Sequence, residues 1–123
     1  MSNLAFFGTP DFAATIFEGL VHYCKAKGHT IQFAVCQPDK KKGRNQIVEP
    51  SKVKSIAIEN DIEIFQPNTL KANSQEGDAF FEKIKSIPLD LAIVVAYGKL
   101  LPNRILALPR CGFVNVHASL LPR

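Results

Sequence analysis

Six consecutive apolar residues, Leu91-Ala92-Ile93-Val94-Val95-Ala96, constrain the fold of this chain more than any other feature. Unbroken apolarity over so few residues suits a strand covered on both faces, as in a parallel sheet. Gly98 ends the run. A shorter run of the same kind occurs at Leu4-Ala5-Phe6-Phe7; Ile31 to Cys36, Ile62-Glu63-Ile64-Phe65 and Gly112 to Val116 make further strand candidates. Between them lie segments with helical spacing: Phe12, Ile16, Leu20 and Tyr23; then Val53, Ile56 and Ala57; then Phe80, Phe81, Ile84 and Ile87.

Strands that alternate with helices predict an α/β fold, a Rossmann-like open and mostly parallel sheet with helices on both faces. The helix ends carry their usual punctuation. Thr9 or Asp11 suits the first N-cap, with Pro10 tolerated in the first turn, and Gly28 marks the stop. Ser51 suits the N-cap of the second helix, and Pro102 opens a short helical segment through Leu108. Two stretches, Gln37 to Pro50 and Gln66 to Gly77, are polar and without period.

With 123 residues, 46% apolar and 21% charged, the chain fits one globular domain rather than a disordered one. Trp is absent, and nine Phe supply the large core side chains. The net charge of +4 is compatible with a nucleic-acid partner without being diagnostic of one. Cys24, Cys36 and Cys111 are odd in number and never in a C-x-x-C arrangement, which argues against a disulfide scaffold and a zinc site; no metal is expected, and buried reduced thiols are. The start, MSNLAFFGTPDF, lacks the basic and apolar regions of a signal peptide, and no apolar stretch approaches the roughly 20 residues of a membrane span, so a cytoplasmic location without membrane contact is expected.

In open parallel sheets ligands bind at the carboxyl ends of the strands. Four such ends carry chemistry here: Gly8-Thr9-Pro10, Gln37-Pro38-Asp39, Tyr97-Gly98 and Asn115-Val116-His117. Asn115 and His117 are two apart, which on a strand turns both side chains to one face, where an amide and an imidazole can polarise a carbonyl and handle a proton. A histidine hydrogen-bonded into a loop, with Asn115 satisfying backbone, accounts for the same pair. His22 and His29 have no partner in sequence and are read as structural or solvated. Gly8 permits a tight strand-to-helix turn, but the absence of G-x-G-x-x-G counts against a dinucleotide site. Lys40-Lys41-Lys42-Gly43-Arg44 concentrates four cations around one glycine, with Lys52 and Lys54 soon after. Such runs are most often solvated surface, yet this one lies at a strand's carboxyl end, where a polyanion would need neutralising.

These residues resemble those of the methionyl-tRNA formyltransferases. Phe7-Gly8-Thr9-Pro10-Asp11-Phe12-Ala13 is similar to their opening, and Gln37-Pro38-Asp39, Gly43-Arg44 and Pro50-Ser51-Lys52-Val53-Lys54 to their substrate-binding loop and the helix after it. Val94 to Pro102 resembles the strand and turn that contact the folate, and Asn115-Val116-His117-Ala118-Ser119-Leu120-Leu121-Pro122-Arg123 the formyltransferase signature. The signature is shared with formyltransferases of glycinamide ribonucleotide and of sugar nucleotides; the earlier motifs point to the tRNA branch.

The resemblance implies that the formyl group on N10 of 10-formyltetrahydrofolate is attacked by the free amine of initiator methionyl-tRNA. It implies Asn115 and His117 as catalytic groups, a folate cleft of Ala96, Tyr97, Gly98, Lys99, Leu100, Ser119, Leu120, Leu121 and Pro122, and tRNA contacts from Lys40, Lys41, Lys42 and Arg44. Lys40 to Lys42 depart from the family's more usual Arg-Pro-Ala. A monomer is expected. Because Asn115 to Pro122 is dense in polar groups with no later element to cover it, residues 1–123 read as a partial catalytic domain. A third catalytic group, an aspartate, and a C-terminal RNA-binding domain are then expected beyond it, and this stretch alone is expected to be inactive. A formyltransferase of small nucleotides or sugars, and a non-catalytic folate- or RNA-binding module, are the rival readings.

Overall fold

The computed structural model describes residues 1–9, 11–42 and 47–116, with the backbone alone at 40–42 and 47. Strands β1 (Asn3–Gly8), β2 (Thr30–Val35), β5 (Glu63–Phe65), β6 (Leu91–Val95) and β7 (Phe113–Val116) form one sheet in the order β5-β2-β1-β6-β7. Every pairing in it is parallel. The long apolar run is β6, paired on one side with β1 and on the other with β7, as a strand buried on both faces must be. The expected α/β sheet is therefore present, and its strand order fixes where ligands can enter. The chain winds outward from β1 through β2 to β5, then returns to β6 and winds the other way. The reversal lies between β1 and β6.

Among the described residues four helices cover the faces: α1 (Asp11–Lys27), α2 (Lys52–Glu59), α3 (Gln75–Ile84) and α4 (Asn103–Leu106). Alternation along the strands sorts the core into two clusters. Phe6, Ala34 and Val95 pack with Phe17 and Val21 of α1 and Val53 and Ala57 of α2. Ala5, Phe7, Phe33, Val35 and Ala92 face the other way, onto Phe80 and Ile84 of α3 and Ile105 of α4.

Helix α1 presents a different stripe from the one its large residues suggest. Its buried positions are Ala13, Ala14, Phe17, Val21 and Cys24, whereas Phe12 is 39% and Tyr23 54% exposed, and Ile16 and Leu20 are only partly covered. The cause is steric. The helix starts hard against β1 and β6, where a Cβ on Gly8 would lie 2.7 Å from the Val95 carbonyl oxygen and 2.9 Å from Ala13 Cβ. Only small side chains fit there, so alanines take the core face.

Ser51 caps α2 as expected, its Oγ accepting from the Lys54 N–H at 3.1 Å. Gly28 ends α1 with a positive φ of 79°. The stretch from Gln37 to Pro50, expected to lack regular structure, instead holds an antiparallel pair, β3 (Lys40–Lys42) and β4 (Ile47–Glu49), which forms a sheet of its own. Main-chain hydrogen bonds make such a pair without needing alternating side chains, so its charged sequence gave no sign. Cys24 and Cys36 are buried thiols, but Cys111 is exposed, because it lies in the turn that enters edge strand β7. His29 Nδ1 accepts from the Ser2 N–H at 2.9 Å and its ring stacks on Tyr23, while His22 faces solvent, as their structural reading requires.

Candidate active site

Because all five strands run parallel, the ends singled out from sequence meet along one edge of the sheet. Gly8 and Thr9 lie at the end of β1, Gln37 and Asp39 beyond β2, Ala96 to Gly98 beyond β6, and Asn115 near the end of β7. The reversal between β1 and β6 sits in their midst, the usual position for a ligand in such a sheet.

The turn after β6 has unusual backbone geometry. Ala96 takes φ +49° and Gly98 φ +90°. A left-handed conformation at a non-glycine residue costs about 1–2 kcal/mol and persists where the surroundings impose it. They do so here. The Tyr97 ring is 1% exposed and meets Phe7 edge-on at 5.7 Å, which anchors the turn in the core. Burial pushes the Tyr97 phenol far above its ordinary range, so it stays neutral. Its hydroxyl has no hydrogen-bond partner among the described residues. Outside the core, Gln37 Nε2 donates to the Tyr97 carbonyl at 3.0 Å and Lys99 Nζ donates to the Asn68 carbonyl at 2.8 Å. The φ of +90° favours glycine at 98, and a Cβ there would stand 2.5 Å from Gln37 Nε2, pushing that amide aside.

This turn and the end of β7 enclose a cleft of about 390 Å³. Asn115 lies opposite Val94 in the register, and both line the cleft with Ala96, Gly98 and Leu100. Asn115 is exposed, and its amide has no hydrogen-bond partner among the described residues; Leu100 is 94% exposed, an apolar side chain with no core to fill. What Tyr97 offers the cleft is backbone, since its ring is committed to the core. A second and larger hollow of about 890 Å³ adjoins it, sharing Lys99 and Leu100 and adding Asn68, Lys71, Leu101 and Pro102. The loop from Asn68 to Ala72 belongs to the polar stretch from Gln66 to Gly77, and no spacing in it marks a site.

The neighbouring strand ends are joined by polar contacts. Gln37 N–H donates to Thr9 Oγ1 at 3.1 Å, and Gln66 Nε2 donates to the Gln37 carbonyl at 3.2 Å and to Asp39 Oδ1 at 2.7 Å. Lys54 Nζ meets Asp39 Oδ2 at 2.9 Å, an ion pair about three-quarters covered. The Lys54 ammonium, helped by the Gln66 amide, holds the Asp39 carboxyl below its usual range. Burial pushes the Cys36 thiol up, so it is an inert core group beside Ser51, not a nucleophile. Lys52 pairs with Asp11 at 3.5 Å, both well exposed, and little is gained from it.

The basic hairpin β3–β4 begins one residue after Asp39, on the same edge as the cleft. Of its cations, Lys40, Lys41 and Lys42 are placed by backbone, and Arg44 lies outside the described residues, as do Pro10, His117, Ser119, Leu120, Leu121 and Pro122. Among the described residues no cluster of metal-ligating side chains occurs, and no helix is long and apolar enough to cross a membrane.

A doubly wound sheet with a cleft at the carboxyl ends of β6 and β7, beside the reversal point, defines an α/β protein with room for a small ligand at the strand ends. Residues 2–123 match the formyl transferase family, and the chain belongs to it. It is 45% identical over 120 residues to the methionyl-tRNA formyltransferase of Caldicellulosiruptor saccharolyticus, which covers 98% of this chain and 36% of that protein. The proteins of the same name from Macrococcus caseolyticus and Thermodesulfovibrio yellowstonii are 40% and 41% identical, over 100% and 99% of this chain and 36% and 37% of theirs. The chain thus spans a little over a third of the length of these relatives.

Proposed function

We propose that the intact protein transfers the formyl group of 10-formyltetrahydrofolate to the amino group of initiator methionyl-tRNA, serving translation initiation as a cytoplasmic monomer. The observation that carries this reading is the exposed amide of Asn115 on the wall of the cleft closed by the Ala96 to Leu100 turn. Residues 1–123 supply the donor-facing front of the catalytic domain.

In this reading the folate lies in the cleft against the main chain of Ala96 to Lys99 and the side chain of Leu100, with Ser119, Leu120, Leu121 and Pro122 completing its wall. The adjoining hollow, with Lys71 and Lys99, has the charge to take the donor's anionic tail. The methionyl amine attacks the formyl carbon, and negative charge collects on the formyl oxygen. The Asn115 amide donates to that oxygen, and a donor fixed in advance on a strand stabilises it without reorganising. As the intermediate collapses the bond from carbon to N10 breaks, the amine loses a proton and N10 gains one. His117 moves that proton. Lys40, Lys41, Lys42 and Arg44 on the hairpin meet the phosphates of the acceptor arm. The name shared by the relatives supports tRNA as the acceptor.

The test gives the intact protein 10-formyltetrahydrofolate together with methionyl-tRNA, glycinamide ribonucleotide or an amino-sugar nucleotide. Formylation confined to the charged tRNA is the expected result. Transfer to a small acceptor, with the tRNA untouched, would sink the acceptor assignment while leaving the donor assignment standing.

A further inference from the structure

Among the described residues, Gln37 joins the ends of β1, β5 and β6 around the reversal point. Its N–H is held by Thr9 after β1, its carbonyl by Gln66 after β5, and its side-chain amide by the Tyr97 carbonyl after β6. Gly98 packs directly on that amide. The left-handed turn at Ala96 and Gly98 therefore has two anchors, the buried Tyr97 ring on the inside and Gln37 on the outside. Three residues further along the chain the basic hairpin begins, and Asp39 between them is pinned by Lys54 and Gln66. Hydrogen bonds through Gln37, Gln66 and Asp39 thus run from the wall of the cleft to the residue before the hairpin.

We propose that Gln37 is a positioning residue that sets the cleft turn and couples it to the basic hairpin, so that a polyanion on the hairpin changes the affinity of the cleft for a folate. The proposal rests on the formyl-donor reading of the cleft. Coupling between two sites is reciprocal, and a coupling of this kind typically changes affinity about 5-fold or more.

The experiment measures binding of 5-formyltetrahydrofolate, a folate without the transferable N10 formyl group, to the intact protein with and without uncharged initiator tRNA. Wild type, Gln37→Met, Gln37→Glu and Gln32→Met are compared. Gln32 lies on β2, the strand that leads to Gln37, and donates its own amide to Asn3 Oδ1 at 2.9 Å, so its variant reports the general cost of losing such a bond. Gln37→Met is expected to bind the folate about 10-fold more weakly and to lose the tRNA-dependent shift, while Gln32→Met keeps both. Gln37→Glu sets a carboxylate against the Tyr97 carbonyl; it should bind weakly at about pH 8 and recover toward pH 5, where the protonated acid donates again. A purely structural role would not produce that pH profile. Unchanged folate affinity and shift in Gln37→Met, or equal losses in Gln32→Met, would overturn the proposal. If wild type binds neither probe, the formyl-donor reading fails, and amide exchange at Gly98 and Lys99 still decides the positioning role. Gln37→Met must then exchange about 10-fold faster there than Gln32→Met, and equal rates refute it.

Discussion

The cleft turn and the basic hairpin lie on the same edge of the sheet but are held in opposite ways. The turn is fixed from several sides: a buried ring, a side-chain amide, a lysine to the Asn68 carbonyl, and two left-handed residues that the surroundings impose. The hairpin pairs in its own two-stranded sheet, over three residue pairs, and is tied down at its base by Asp39. A two-stranded ribbon alone is marginally stable. The difference fits the two roles proposed above. Presenting a bound donor to the Asn115 amide requires a cleft wall in a fixed place, whereas neutralising a row of phosphates requires only charge of the right sign nearby.

Substitutions on either side should separate these tasks. The largest effect is expected at Asn115, across the cleft from the turn. Asn115→Ala should lower the rate of formyl transfer about 100- to 1000-fold, with folate affinity and thermal midpoint little changed, since the side chain is exposed and fills no core. Rapid-quench kinetics beside a melting curve would show it. Next comes the hairpin: replacing Lys40, Lys41, Lys42 and Arg44 by Ala should weaken tRNA binding roughly 10- to 100-fold and flatten its salt dependence, because each phosphate contact contributes about 0.7–0.9 to the slope. Arg44→Ala alone should move in the same direction. Filter binding at several salt concentrations tests both, and folate affinity should not follow.

Gly98→Ala should cost less. Its φ of +90° disfavours any side chain by about 1–2 kcal/mol, and the new methyl meets Gln37, so folate binding should fall about 10-fold with a modest loss of stability. The smallest effect concerns Asp39. Its carboxyl titrates lower in the folded chain than in the unfolded one, so the Lys54 and Gln66 contacts stabilise fully above the unfolded value near pH 4. They are lost as pH falls through the folded value. Asp39→Asn should remove that acid-side loss, worth about 0.5 kcal/mol for a pair still partly open to solvent. Denaturant titrations at about pH 3 and pH 7 would reveal it.

Much of this was legible in the sequence, for identifiable reasons. The apolar run at Leu91 to Ala96 announced a central parallel strand, and β6 is one. Chain order then brought the functional ends together, because parallel strands put all their carboxyl ends on one edge. Helix α1 misled because its large residues, Phe12 and Tyr23, outweigh the alanines that the tight Gly8 turn selects for the core. The hairpin gave no signal because main-chain pairing does not require an alternating sequence. Gln37 was visible as a polar residue ending an apolar strand, but nothing local says that its amide reaches Tyr97, sixty positions away. Contacts at that separation depend on the fold, not on spacing.

The division of labour between the two regions is tested most directly by mapping amide exchange in the intact protein with each ligand in turn. With 5-formyltetrahydrofolate bound, the strongest protection should fall on Ala96 to Leu100 and Asn115. With initiator tRNA bound it should fall on the hairpin from Lys40 to Glu49. A folate that protects the hairpin and leaves the Ala96 to Leu100 turn exchanging freely would contradict the assignment of that cleft to the formyl donor.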